Sequence, residues 1–463
     1  MNQPILLPPL SAAAHRARLL AAWSRSDQLF GLVPADQLTR RPISLRHPIL
    51  FYIGHLPAFA WNQIARGALG LAPLDPELDQ LFERGIDPAD EAAAEALSVP
   101  SWPSLERVLA YRDLARQRLL ELVDDVVARH DPQHPLLRGG RILHVAVEHE
   151  LMHHETLLYM LQRQPELLRP PPGATVNSCR GHIRQSISRI DIPAGPATIG
   201  TAPSDVRFAW DNEVPCTVED VEGFTIDRLP VTNLDLREFV KADGYGVPEL
   251  WEGAAPDHPT NWVPGKRGTW KVRWLLGVAP MGEAALWPAQ VSLAEARAYA
   301  KWTGGRLPTE AELHRAAYAT PDGTLRQYPW GDDPPDADRC TADFVSWCPR
   351  AVGETPAGAS AWGVEELVGN GWEWTDTVWQ ARPGFVADIP TYPGYSTDFF
   401  DDDHFVVFGG SWATAATLLR RSFRNWYQPR YPFVFSSFRT VRPTVEAPTA
   451  ADPSGEPSPA SDR

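Results

Sequence analysis

The sequence predicts an α+β protein in two parts, a four-helix bundle followed by an irregular domain of short strands. Apolar residues recur at helical spacing in long segments up to residue 163, and a proline cluster then breaks the pattern. Beyond it the chain turns to short apolar runs punctuated by Gly, Pro and Trp. With 463 residues the chain is long enough for two or three domains that each bury a core.

Taken in order, "SAAAHRARLLAAWSRSDQLFGLV" begins with a Ser cap, and its apolar residues follow a helical stripe. "HPILFYIGHLPAFAWNQIARGAL" carries a Pro near its start, where a helix tolerates one. "SLERVLAYRDLARQRLLELVDDVVARH" repeats the stripe strongly, and residues 138–163 make the fourth helix, the number an up-and-down bundle needs to share one core. The bundle is therefore expected over 9–163 and a Pro-rich linker over 164–187. Residues 188–443 follow as the α+β domain, with "NLDLREFVKAD" and "LAEARAYAKWTG" as its convincing helices. Residues 444–463 are rich in Pro, Ala, Ser and acid, cannot bury a core, and read as a disordered tail.

Composition narrows the partners. A net charge of −15 argues against nucleic acid and anionic membranes, since phosphate binding needs a basic face. No apolar run reaches membrane-spanning length and the N-terminus lacks the pattern of a secretory signal, so the expected location is cytoplasmic. Cys179, Cys216, Cys340 and Cys348 form no CxxC pair and read as reduced thiols. The 18 tryptophans, mostly after residue 250, suit a rigid fold or a pocket for a cationic or sugar-like ligand.

Three histidines and three glutamates fall within "VEHELMHHETLLYML", residues 147–161, a stretch that otherwise reads as a buried helix. His149 and His153 lie four residues apart, so on a helix both imidazoles leave one face and can share a metal. His154 is turned away by about a hundred degrees. A third ligand must come from another helix, and His55 in "FYIGHLPAF" is the candidate, ahead of His47, His144 and His154. Neutral nitrogen donors suit Fe, Zn or Cu.

Seven motifs in series, "IPAGPATIGT", "FTIDRLPVTNLDLREFV", "AYAKWTGGRLPTEAEL", "YPWGDD", "ELVGNGWEWTDT", "FGGSWAT" and "SSFRTVRP", resemble the formylglycine-generating-enzyme-like (sulfatase-modifying factor) fold. The cysteine pair that such enzymes use after "GGSW" is absent, which disfavours their activity. Together with a DinB-like bundle bearing HxxxH, the chain resembles the iron-dependent sulfoxide synthases of ergothioneine and ovothiol biosynthesis and the related selenoneine synthases. The resemblance implies Fe(II) held by His55, His149 and His153, with dioxygen, hercynine and a chalcogen donor as small-molecule substrates.

Where the ergothioneine-type enzymes that use γ-glutamylcysteine carry an Asp and a distal Arg, "RNWYQPRYP" has Tyr427 and Tyr431, and Met152 replaces the glutamine between their ligand histidines. The closer resemblance is to the selenoneine branch, which implies a selenosugar donor. The alternative is a sulfoxide synthase joining hercynine to cysteine or γ-glutamylcysteine. By the same resemblance the substrate-binding candidates are Trp426, Tyr427, Met152, Arg424, Asn425 and Tyr395, with Trp426 and Tyr427 facing the trimethylammonium group. The catalytic candidates are Tyr427, Tyr431 and Trp379. Trp379 stands where some members have a proton-donating tyrosine; since it lacks an acidic hydroxyl, either Tyr392, Tyr395, Tyr427 or Tyr431 substitutes or the step differs here. Arg420, Arg421 and Arg424 either bind a carboxylate or brace acidic loops. A lectin-like binding module and a zinc-dependent thiol transferase are the readings from other classes.

Overall fold

The computed structural model describes residues 7–83, 101–178 and 188–444. Cys179, part of the expected linker and nearly all of the expected tail lie outside the described residues. The first half is helical. Helix α1 (Ala12–Phe30) is capped by Ser11, α2 (Ile49–Trp61) runs on into a π-type turn over Asn62–Ala68, and α3 (Pro76–Leu81) is short. Helix α4 (Leu105–Ala128) is capped by Ser104, and α5 (Arg141–Leu161) starts after a left-handed Gly140. Helix α2 lies against α4 and α1 against α5, giving the four long helices the periodicity predicts. Every residue of α2 is buried, which its unbroken apolar sequence requires.

The second half is built from small sheets. Strands β1 (Arg189–Ile192), β4 (Phe224–Asp227) and β12 (Val441–Pro443) form one, and β2 (Gly195–Ile199) pairs with β3 (Thr217–Val221). Strands β5 (Trp262–Pro264), β6 (Trp270–Trp274) and β7 (Gly277–Pro280) form a meander. The sheet that reaches the helical half has the order β10 (Asn425–Tyr427), β9 (Phe405–Phe408), β8 (Trp372–Val378), β11 (Ser436–Ser437). Helices α6 (Asn233–Lys241), α7 (Leu293–Trp302) and α8 (Glu310–Tyr318) each begin with a reciprocal capping box, Thr232 with Asp235, Ser292 with Glu295 and Thr309 with Glu312. The last box is the "PTEAE" turn of the sequence.

Most tryptophans turn out to be scaffold. Trp210, Trp262, Trp287, Trp372, Trp374 and Trp379 are among the largest fully buried side chains, and each indole N–H donates to a protein oxygen. Two of those acceptors, Glu148 and Glu155, sit on α5, so the helix that carries HxxxH is tied directly to the second half. Glu155 also accepts from Ser411 Oγ and Thr414 Oγ1, both at 2.6 Å. Glu148 accepts from Arg420, whose guanidinium also engages Glu213.

Candidate metal centre

Three imidazoles meet between α2 and α5. One turn of α5 separates His149 from His153, and their ring centroids lie 4.5 Å apart. His55 enters from α2, 5.2 Å from His149 and 5.0 Å from His153 by centroid. One nitrogen from each ring falls within 4.8 Å of the others, and this is the one group of three potential ligands among the described residues.

Local packing sets each ring. The Nδ1 of His55 lies 2.8 Å from the Phe82 carbonyl, which can only accept, so Nδ1 carries the proton and Nε2 keeps its lone pair. Gly54 makes this approach possible, because a Cβ there would lie 2.4 Å from the Phe82 ring. His149 stacks on Phe59 at 3.5 Å, and Tyr52 tilts against His153 at 5.6 Å. Burial pushes the His55 imidazole down to about 4 and holds His149 and His153 well below the usual histidine value. Neutral rings with available lone pairs are what a transition metal needs. His153 Nδ1 is buried with no hydrogen-bond partner, which leaves it available to a metal ion.

The competing histidines point elsewhere. His154 contacts Ser26 Oγ at 2.8 Å, and that hydroxyl donates to Glu150. His144 faces Arg18, with Nδ1 2.8 Å from Nη1. His47 lines the same cavity as the centre but stacks on Phe51, one ring removed from His55.

The centre opens into a cavity of about 710 Å³ lined by both halves of the chain. Met152, Tyr395, Asn425, Trp426, Tyr427 and Tyr431 all line it, as does Tyr392. Trp426 is the one tryptophan among the described lining residues. Tyr395 stacks on Trp210 at 4.1 Å and donates its hydroxyl to Met152 Sδ at 3.4 Å. Burial raises the phenols of Tyr395 and Tyr427 above the ordinary tyrosine value, so both are held protonated.

Two expected site residues are not brought to the cavity. Trp379 is fully buried behind Trp426, stacked on it at 3.8 Å, with its N–H on the Ser396 carbonyl. It supports the cavity wall and does not face a ligand. Arg424 lies over Trp379 at 4.3 Å and bonds Glu310 at 3.1 Å, so it braces the same wall from behind. Arg420 is held by Glu148 and Glu213, and Arg421 donates to the carbonyls of Thr198 and Gly200. None of these three arginines lines the cavity; they brace buried carboxylates and carbonyls, not the "DFFDDDH" loop. Sequence reasoning overlooked Arg46, Tyr52, Phe59, Gln63 and Tyr159 as lining residues. Phe59 and Gln63 were accessible to it, lying four and eight residues past His55 on one helical stripe.

A helical half and a sheet-containing half together enclose three convergent imidazoles able to hold a metal ion. Residues 178–444 match the sulfatase-modifying factor enzyme 1-like domain family, and residues 18–157 match the DinB superfamily. Hercynine oxygenase of Mycolicibacterium smegmatis is 34% identical over 79% of this chain and 83% of its own length. Hercynine oxygenase of Mycolicibacterium thermoresistibile is 33% identical over 92% and 95%. Ergothioneine biosynthesis protein 1 of Neurospora crassa is 29% identical over 91% of this chain and 57% of its own length. The chain belongs to the sulfatase-modifying factor enzyme 1-like family, in the DinB-fused branch that contains the hercynine oxygenases. No helix among the described residues is long and apolar enough to cross a membrane.

Proposed function

We propose that this protein is an Fe(II)- and dioxygen-dependent synthase that couples the imidazole carbon of hercynine to the selenium of a selenosugar. The observation that carries this reading is the meeting of His55, His149 and His153 in a cavity that also holds Trp426, Tyr427 and Tyr431. Iron on the three nitrogens would supply the dioxygen activation that none of the surrounding side chains can perform, and zinc, which has no redox chemistry, would not. In the overall reaction the imidazole C–H and the chalcogen–H bonds break, and C–Se and Se–O bonds form. Dioxygen takes the electrons and its second atom leaves as water.

The chain's residues bind and orient. The Trp426 ring, backed by Trp379, offers a rigid face to the trimethylammonium group, worth about 0.5–2 kcal/mol. Asn425 Oδ1 accepts from the Trp426 backbone N–H at 2.9 Å, which fixes the strand that presents both residues. Holding both reactants beside one centre would convert a bimolecular encounter into an oriented one.

A selenosugar donor is supported by the wall of phenols, Tyr52, Tyr159, Tyr427 and Tyr431, and by the internal engagement of Arg420, Arg421 and Arg424. The second reading keeps the reaction and takes sulfur from cysteine or γ-glutamylcysteine; similarity to hercynine oxygenase and ergothioneine biosynthesis protein 1 favours it. Anaerobic loading with Fe(II), then air, hercynine and each donor, followed by mass analysis, tests both. The expected product is the selenoxide. A sulfoxide with cysteine or the dipeptide alone selects the second reading, and no coupled product with any donor refutes both. His55→Ala, His149→Ala and His153→Ala should each lose bound iron while staying folded; unchanged iron content in any of them removes that residue from the centre.

A further inference from the structure

Arg46 is the one arginine or lysine among the described residues that line the cavity. It stands in the loop before α2, nine positions ahead of His55, and its Nε donates to the Tyr431 hydroxyl oxygen at 3.0 Å. A guanidinium carries only donors, so in this bond the phenol must accept and its own hydrogen is turned elsewhere. Tyr427 is arranged alike. Asn425 Oδ1 is spent on the Trp426 backbone N–H, which leaves Nδ2 to donate to the Tyr427 hydroxyl at 3.1 Å. The two phenol rings lie parallel, 4° between planes with centroids 5.7 Å apart. Two neighbouring hydroxyls therefore each accept from a nitrogen, Tyr159 is hydrogen-bonded to Tyr431 beside them, and all three phenols line the cavity. Such a cluster reads oxygen acceptors.

We propose that Arg46, acting with Tyr431 and its stacked neighbour Tyr427, is the specificity-determining residue for the chalcogen donor, recognising oxygen acceptors at the end of that molecule away from its selenium or sulfur. This rests on the coupling reaction proposed above only in naming the ligand as the donor. The acceptors are sugar hydroxyls or a carboxylate, one hydrogen-bonding chemistry from two sources. The recognition is shared between the halves of the chain, since Arg46 comes from the helical part and the tyrosines from the second.

The test is equilibrium binding to the Fe(II)-loaded full chain without oxygen, followed by tryptophan fluorescence. The probes are 1-thio-β-D-glucose, cysteine and γ-glutamylcysteine, with hercynine as control. Arg46→Gln and Tyr431→Phe should each weaken at least one donor probe by about fivefold to tenfold, the loss of one good hydrogen bond. Hercynine binding should change less than about twofold, and the double variant should be no weaker than the weaker single one, because both act through one bond. Tyr431→Phe keeps the ring stack, so it guards against a folding defect in the Arg46 variant. Loss confined to the thiosugar identifies hydroxyls as the acceptors, and loss confined to cysteine and the dipeptide identifies a carboxylate. Equal weakening of hercynine, additive losses, or unchanged binding of all three donor probes would overturn the proposal, as would a wild type that binds none of them. Failure of the coupling reaction would appear separately, as absent product despite intact donor binding.

Discussion

Replacing Arg420 by Met removes the cation that joins α5 to the second half while keeping most of its apolar volume. The guanidinium side chain is 16% exposed, and its partners Glu148 and Glu213 are 5% and 0% exposed. Breaking a buried pair by deleting one member costs about 3–5 kcal/mol, because the orphaned charge stays desolvated. Here two carboxylates are orphaned, although Trp210 Nε1 on Glu148 and Ser422 Oγ on Glu213 keep partial compensation, at 2.9 and 2.6 Å. We therefore expect about 4 kcal/mol, read as a melting shift of roughly 4 °C for a chain of 463 residues.

The pH dependence has a defined sign. Burial already raises the Glu148 carboxyl above its ordinary value, with Arg420 opposing, so loss of Arg420 raises it further. A carboxyl raised in the folded state binds protons more readily there than in the unfolded chain. The variant's deficit is therefore largest above the folded pKa and shrinks as pH falls toward the ordinary carboxylate value. Thermal and urea unfolding at neutral pH and at mildly acidic pH measure both effects. Adding Glu148→Gln and Glu213→Gln to Arg420→Met should recover most of the loss. A single variant within about 1 kcal/mol of wild type, or a deficit that does not shrink on acidification, would refute the reasoning.

Three further outcomes are expected. Gly54→Ala places a Cβ 2.4 Å from the Phe82 ring and displaces the carbonyl that fixes His55, so iron affinity measured by chelator competition should fall about tenfold or more. His15 is fully buried with both ring nitrogens lacking partners, and burial, helped by Arg18, pushes it down to about 4. Its contribution is present above the ordinary histidine value and is lost as pH falls from there toward 4, an effect of up to about 3 kcal/mol, reduced by screening. His15→Leu should flatten that slope in acid titration of unfolding. Trp379→Leu removes the ring behind Trp426 and should raise the hercynine KM several-fold with a smaller change in kcat, whereas a direct proton donor at this position would lose kcat with an altered pH profile.

The centre was readable in sequence where its geometry is local. Helical spacing puts His149 and His153 on one face, but spacing alone fits a packed pair without metal as well, and it is the family resemblance that joins His55 to them as a third candidate ligand. The placement of Trp379 failed for a physical reason. Trp379 was placed by correspondence with the family motif, and a position carried over in this way does not show which way the side chain points; the register of β8 against β9 shifts between Trp374 and Val378, just before it. Arg424 failed differently: its charge is spent on Glu310, a partner more than a hundred residues away that no local pattern announces. Arg46 was hidden for the same reason in reverse, since a loop arginine carries no periodic signal and acquires meaning only when Tyr431, 385 residues later, is folded against it. The three candidate metal ligands lie on helices, two of them at helical spacing, while the proposed donor-recognising residues are joined across the junction of the two halves. The branch of the family is therefore easier to read from such a chain than the donor it takes. A relative with the same histidines but with Arg46 or Tyr431 replaced should accordingly keep the centre and change its chalcogen donor.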